Sequence, residues 1–164
     1  MTRTRSLSEY LHTPDAPWVS RLLVPEGWTA NDLPALPPGF VLRVIDGTQC
    51  GTPAALFAEL ARAWDFPDYF GHNWDALEEC LEDLEWLPAH GYVLLITNAQ
   101  AVIPDDEDKC LTLVEVLDAA GQTWSLLQEG NSRGPIPFHT IFAVRGTPRA
   151  THPVWGLEPT PWGG

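Results

Sequence analysis

Six carboxylates lie within eleven residues of this chain: Asp75, Glu78, Glu79, Glu82, Asp83 and Glu85. Not one lysine or arginine occurs between Arg62 and Lys109. Placed on a helix at about 100° per residue, the six acids share one broad arc, and Trp74, Leu77, Cys80, Leu81 and Leu84 share the opposite one. Pairs of like charge spaced i,i+4, such as Asp75 with Glu79 and Glu78 with Glu82, each cost a helix roughly 0.2–0.5 kcal/mol. A helix that keeps such pairs with no cation beside them presents its charge outward, to a basic partner. Asp75 has a second reason to be acidic, because a carboxylate in the first turn is favoured by the helix dipole. Glu82 and Asp83 lie beyond that turn and also fit a plain solvated face. The spacing predicts that Trp74, Leu77, Leu81 and Leu84 are buried and that Glu78, Glu79, Glu82 and Asp83 are largely exposed.

Other chemistry is hard to find. Glu9-x-x-His12 lacks the second copy that a di-metal site needs. Zinc-type Cys/His pairs and HExxH are missing. Asp105 to Asp108 lacks the glycine and spacing of an EF-hand loop and reads as a helix start. The histidines at 12, 72, 90, 139 and 152 have no evident partners. Neither a glycine-rich phosphate loop nor a nucleophile elbow is present. These readings argue against an enzyme, and no metal site or cofactor is expected.

The totals agree with a binding role. The chain has 164 residues, 45% of them hydrophobic, enough for a sizeable core. A formal charge of −13 disfavours nucleic acid and anionic membranes as partners and favours a basic protein. No run of apolar residues is long enough to span a bilayer. The first residues lack the apolar stretch of a signal peptide. Cys50, Cys80 and Cys110, an odd number without metal spacing, read as reduced thiols in the cytoplasm.

Several elements must position the acidic helix. Leu7 to Leu11 has the pattern of a short helix, followed by a short apolar run, Trp18 to Val24, and a proline-rich loop, Leu33 to Gly39. Phe40 to Asp46 reads as a strand ending at an Asp-Gly turn. A helix starts at Gly51 or Thr52, with Pro53 in its first turn, and runs through Trp64. Pro67 and Gly71 fence a loop, and Asn73 caps the acidic helix, which is predicted to reach about Trp86. Tyr92 to Asn98 is almost wholly apolar, the mark of a buried parallel strand. A third helix covers Asp106 to Ala120 and is extended past Gly121 by Gln122 to Gln128. Arg133 to Pro137 is loop, Phe138 to Val144 a third strand, and from Gly146 the tail is rich in Pro, Gly and Trp. The order β-α-α-β-α-β predicts an α/β fold with a small three-stranded parallel sheet. It divides the chain into an N-terminal extension (1–39), a central domain (40–145) and a C-terminal tail (146–164). Tryptophans 18, 28, 155 and 162 are costly to leave in water, so the extensions are expected to dock on the domain, away from the acidic face.

The stretch Pro67-Asp68-Tyr69-Phe70-Gly71, then Asn73, Asp75-Ala76-Leu77 and Cys80-Leu81, resembles the barstar family of intracellular ribonuclease inhibitors. The order of elements from about Phe40 to Arg145 is similar as well. The resemblance implies a non-enzymatic immunity-type protein whose acidic helix and preceding loop fill the active site of a basic ribonuclease or related toxin. Carboxylates there stand in for RNA phosphates. It places Tyr69, Asp75 and Glu79 at the family's contact positions. Glu79 replaces an aspartate, Glu78 replaces an aromatic, and a glutamate that the family supplies from the next helix falls at Asp118 or Ala119. The partner-binding set is therefore Tyr69, Asp75, Glu78, Glu79, Glu82 and Asp83. A scaffold that kept the fold without a nuclease, or a nucleic-acid mimic that sequesters a basic protein, are the alternative readings.

Overall fold

The computed structural model describes residues 6–126 and 134–162. Its elements run α1 (Leu7–Leu11), β1 (Val19–Val24), β2 (Phe40–Asp46), α2 (Pro53–Trp64), α3 (Trp74–Asp83), β3 (Gly91–Thr97), α4 (Glu107–Ser125), β4 (Phe138–Arg145) and β5 (Glu158–Pro159). The sheet has the order β2-β3-β4-β1-β5, and all its pairings are parallel.

The α/β class is as expected, but the sheet has five strands rather than three. β1 pairs with β4 from Val19 opposite Thr140 to Val24 opposite Arg145. β5 then pairs with β1 through Ser20 opposite Glu158 and Arg21 opposite Pro159. Neither added strand carries a clear local signature. Ser20 and Arg21 interrupt the apolar run of β1, and their polar groups are satisfied only across the fold. The Ser20 hydroxyl meets the Thr160 hydroxyl at 2.8 Å. The Arg21 guanidinium donates to the Leu157 carbonyl and lies over the Trp155 ring. β5 has two residues, one of them proline, which suits an edge strand and nothing longer.

Alternation along the strands divides two cores. Tyr92, Leu94, Ile96, Phe138, Phe142 and Val144 face α2, α3 and α4 in the larger core. Val93, Leu95, Ile141 and Ala143 face the opposite side, where Leu7, Tyr10 and Leu11 of α1 cover them. Trp28, Leu33 and Leu36, in the connection from β1 to β2, pack on that second core together with Trp162. The N-terminal segment thus supplies the layer that lets β3 be apolar on both faces. His139, fully buried on β4, lies 2.6 Å from the Thr13 carbonyl and 3.2 Å from that of Pro17, and burial pulls its pKa down. Where α4 passes the start of β1, a Cβ on Gly121 would come within 2.3 Å of the Trp18 Cβ, so only glycine fits.

Because β1 is inside the sheet, its amides facing β4 are expected to exchange with solvent as slowly as those of β4. Exchange within seconds throughout Val19–Val24 would contradict this pairing.

Candidate protein-binding face

The face is built by α3 and the loop before it. The α2 helix ends at Asp65, which takes a left-handed conformation with φ of 53°. The Phe70 amide closes a turn onto the Pro67 carbonyl at 2.9 Å. That turn drives Phe70 into the core, beside Phe66 at 4.9 Å and Phe57 at 6.4 Å between ring centres. Its neighbour Tyr69 is turned out and is 75% exposed. Asn73 then caps α3, its side-chain oxygen accepting from the Ala76 amide at 2.8 Å, a bond worth about 1 kcal/mol to the helix.

The burial split largely follows the expected one. Leu77, Leu81 and Leu84 are fully buried, and Cys80 nearly so. Trp74 is only half-buried, with its ring set edge-on against Phe57 at 4.9 Å. Asp75, Glu79 and Asp83 are exposed, whereas Glu78 and Glu82 are half-buried. Among the described residues no arginine or lysine pairs with any of them. Glu79, the residue on which an interface reading depends most, is in no ion pair with a described residue.

The helix is shorter than the sequence suggests. It stops at Asp83 because Leu84 takes a left-handed conformation, φ of 46°, while its amide donates to the Cys80 carbonyl at 3.2 Å. The turn keeps Leu84 in the core and sends Trp86 back to α2, where its indole donates to the Trp64 carbonyl at 2.9 Å. Glu85 leaves the helix yet stays on the same face. Partial desolvation, and then the fields of Cys80, Asp83, Glu85 and Glu79, push the Tyr69 hydroxyl above the ordinary tyrosine range. Tyr69 therefore lies within the field of Glu79, Asp83 and Glu85. The available signal for Glu85 was its place in the acidic run.

Two residues from α4 hold this end of α3, and no local pattern marks them. The Trp124 indole donates to the Leu81 carbonyl at 2.8 Å, serving one of the acceptors that the helix end leaves open. The Thr123 hydroxyl donates to Glu82 Oε1 at 3.0 Å. Glu82 is thus partly a packing residue, bound to its own fold. Asp118 lies elsewhere: it lines a pocket with Trp18, Val114 and Leu157, on the side of α4 turned towards β1.

Burial, outweighing the Thr123 bond and helped by nearby Glu78, raises the Glu82 pKa above its usual 4.5. A raised carboxylate pKa means that the folded state favours the protonated form. Ionisation of Glu82 therefore lowers stability as pH rises from about 4.5 through the folded-state value. Glu82→Gln retains an acceptor for Thr123 and carries no charge. Its stability relative to the parent chain is expected to rise over that window and to stay level above it, as read by urea titrations at several pH values. A difference independent of pH would show that Glu82 feels no burial.

The class defined by this geometry is an α/β module with an exposed tyrosine beside an anionic helix face that no described cation pairs. Among the described residues no cluster of histidine, cysteine or carboxylate side chains could hold a metal. No described helix is long and apolar enough to cross a membrane. Residues 40–142 match the family model of barstar, the barnase inhibitor, and the match spans more than half of the chain. The chain belongs to the barstar family, whose members inhibit ribonucleases and are not enzymes. No curated protein matches the chain.

Proposed function

We propose that the protein is a cytoplasmic, immunity-type inhibitor that binds a basic ribonuclease or related nuclease toxin. Tyr69, Asp75, Glu79 and Asp83 form the contact surface, with Glu78 and Glu82 at its flank, and the bound face occludes the active site. One observation carries the reading: on the family-matched α3, Asp75, Glu79 and Asp83 are exposed, as is Tyr69 in the loop before it, and among the described residues no cation pairs with the three carboxylates, while the described parts of both extensions pack on the two cores of the sheet. A nuclease site must be cationic to hold phosphate, and fixed carboxylates are its electrostatic complement. A net charge of −13 also speeds encounter with a basic partner. Three buried, unbridged cysteines fit a reducing compartment.

The experiment is capture of basic partners on the immobilised full chain, followed by a ribonuclease assay on the captured protein. Stoichiometric loss of its activity on adding the free chain is the expected result. A captured nuclease that remains active in the complex would remove occlusion from the mechanism.

A further inference from the structure

The chain has few cations, yet two arginines and a histidine line one small cavity of about 210 Å³, together with Gln100 and Thr147. It lies by the start of α4, where Arg149 pairs with Glu107. Thr123, which touches the acidic face, is sixteen residues further along that helix, roughly 24 Å at 1.5 Å per residue. The cavity is therefore separate from the proposed interface, and Arg145 to His152 fall outside the family match.

Its place in the fold is one where parallel sheets bind ligands. Gln100 follows β3, Arg145 ends β4, and Thr147 to His152 lead away from it. The chain leaving β4 goes to the helical face, where Val154 and Leu157 join the larger core. The chain leaving the neighbouring β1 goes to the opposite face, where Trp28 and Leu33 join the second core. Adjacent strands whose connections part to opposite faces open a crevice at their carboxyl ends, the usual binding position in such sheets.

The groups in the cavity are mostly donors. Gln100 Oε1 accepts from the Arg145 amide at 3.0 Å, which leaves the Gln100 NH₂ to donate. One Arg145 nitrogen donates to the Trp28 carbonyl at 2.7 Å and holds the side chain in place, while its Nε is buried without an acceptor. His152 is 8% exposed. Its Nδ1 accepts from the Val154 amide at 3.1 Å, so the ring hydrogen sits on Nε2, and that atom too is buried without a partner. Buried donors that lack an acceptor are unfavourable, and an acceptor-rich ligand would relieve them. The facing carboxylates are Glu107, 3.5 Å from the Arg149 guanidinium and bonded by Thr151, and Asp46, within the field of Arg145.

We propose that this cavity binds a small tetrahedral oxyanion of the phosphate class, held by Arg145, Arg149, Gln100 and His152. Arg149 is the mobile clasp, since its present bonds, to Glu107 and the Pro104 carbonyl, are exposed. Glu107 competes with the anion for it.

The test titrates the full-length chain with inorganic phosphate at constant ionic strength, following backbone amide NMR shifts. Saturable shifts in residues 146–152 are expected, with none on adding chloride. Arg149→Gln should weaken phosphate at least tenfold, and Glu107→Gln should strengthen it several-fold. Uridine 3′-monophosphate serves as a second probe. A stronger response to it than to phosphate would support the site and assign the anion to a nucleotide. Shifts that fail to saturate, or that chloride reproduces, would overturn the proposal, as would an Arg149→Gln chain that binds phosphate like the parent. If that variant proves unfolded by circular dichroism, unchanged affinity in Glu107→Gln overturns it instead.

Discussion

Replacing Glu79 or Asp75 with alanine is expected to weaken binding of a nuclease partner by about 2–5 kcal/mol, or about 30-fold to a few thousand-fold. The two residues are one helical turn apart and exposed, close enough to enter one cationic pocket together. In a complex they would be desolvated, so truncating one leaves its cationic partner buried and unpaired, and the loss falls mainly on the dissociation rate. Glu82→Ala should behave differently. Its carboxylate is half-buried and already engaged by Thr123, so it has less to offer a partner. Its removal should change chiefly the association rate and the dependence of that rate on salt. None of these substitutions empties the core, and the variants should remain folded. Equal, small losses at all three positions in stopped-flow measurements would mean diffuse attraction and would refute the active-site plug.

The largest expected effect on stability comes from Leu81→Ala, at about 2–5 kcal/mol. Leu81 has no exposed surface and sits in the larger core with Leu77, Leu84 and Trp124. Truncation removes apolar area and leaves a cavity where α3 meets α4. It also loosens the turn whose carbonyl receives the Trp124 indole. Chemical denaturation of the variant beside the parent reads this directly. A loss under about 1 kcal/mol would show that α3 relaxes into the gap, and would remove the argument that α3 is a rigid support for its carboxylates.

The two experiments probe opposite arcs of one helix, and that division was legible in the sequence. Acidic and apolar residues separate cleanly at helical spacing, so the polarity of each face follows from the burial of leucines alone. Asn73 as cap, the short helix at Leu7 and the apolar run of β3 were legible for the same reason, since each depends on neighbours within a few residues. The loop fenced by Pro67 and Gly71 was legible too, but which of its two aromatics enters the core was decided by the packing of Phe70 against Phe57 and Phe66.

Residues far apart in the chain decided the rest. β1 reads as a strand only once β4 lies beside it, because Ser20 and Arg21 break its local pattern and find their partners in the tail. The end of α3 at Asp83 was hidden in the same way. No glycine marks it; buried Leu84, the pull of Trp86 towards Trp64 and the indole of Trp124 set it together. Glu78 and Glu82 lie on the acidic arc by spacing, yet they are half-buried there, and Glu82 is bound to Thr123 of α4. Local spacing thus determined that this protein carries an acidic helix with one apolar side. The tertiary structure decided which of its carboxylates are free to meet a partner, because a side chain's solvation depends on what packs against it, and the chain brings those neighbours from more than forty residues away.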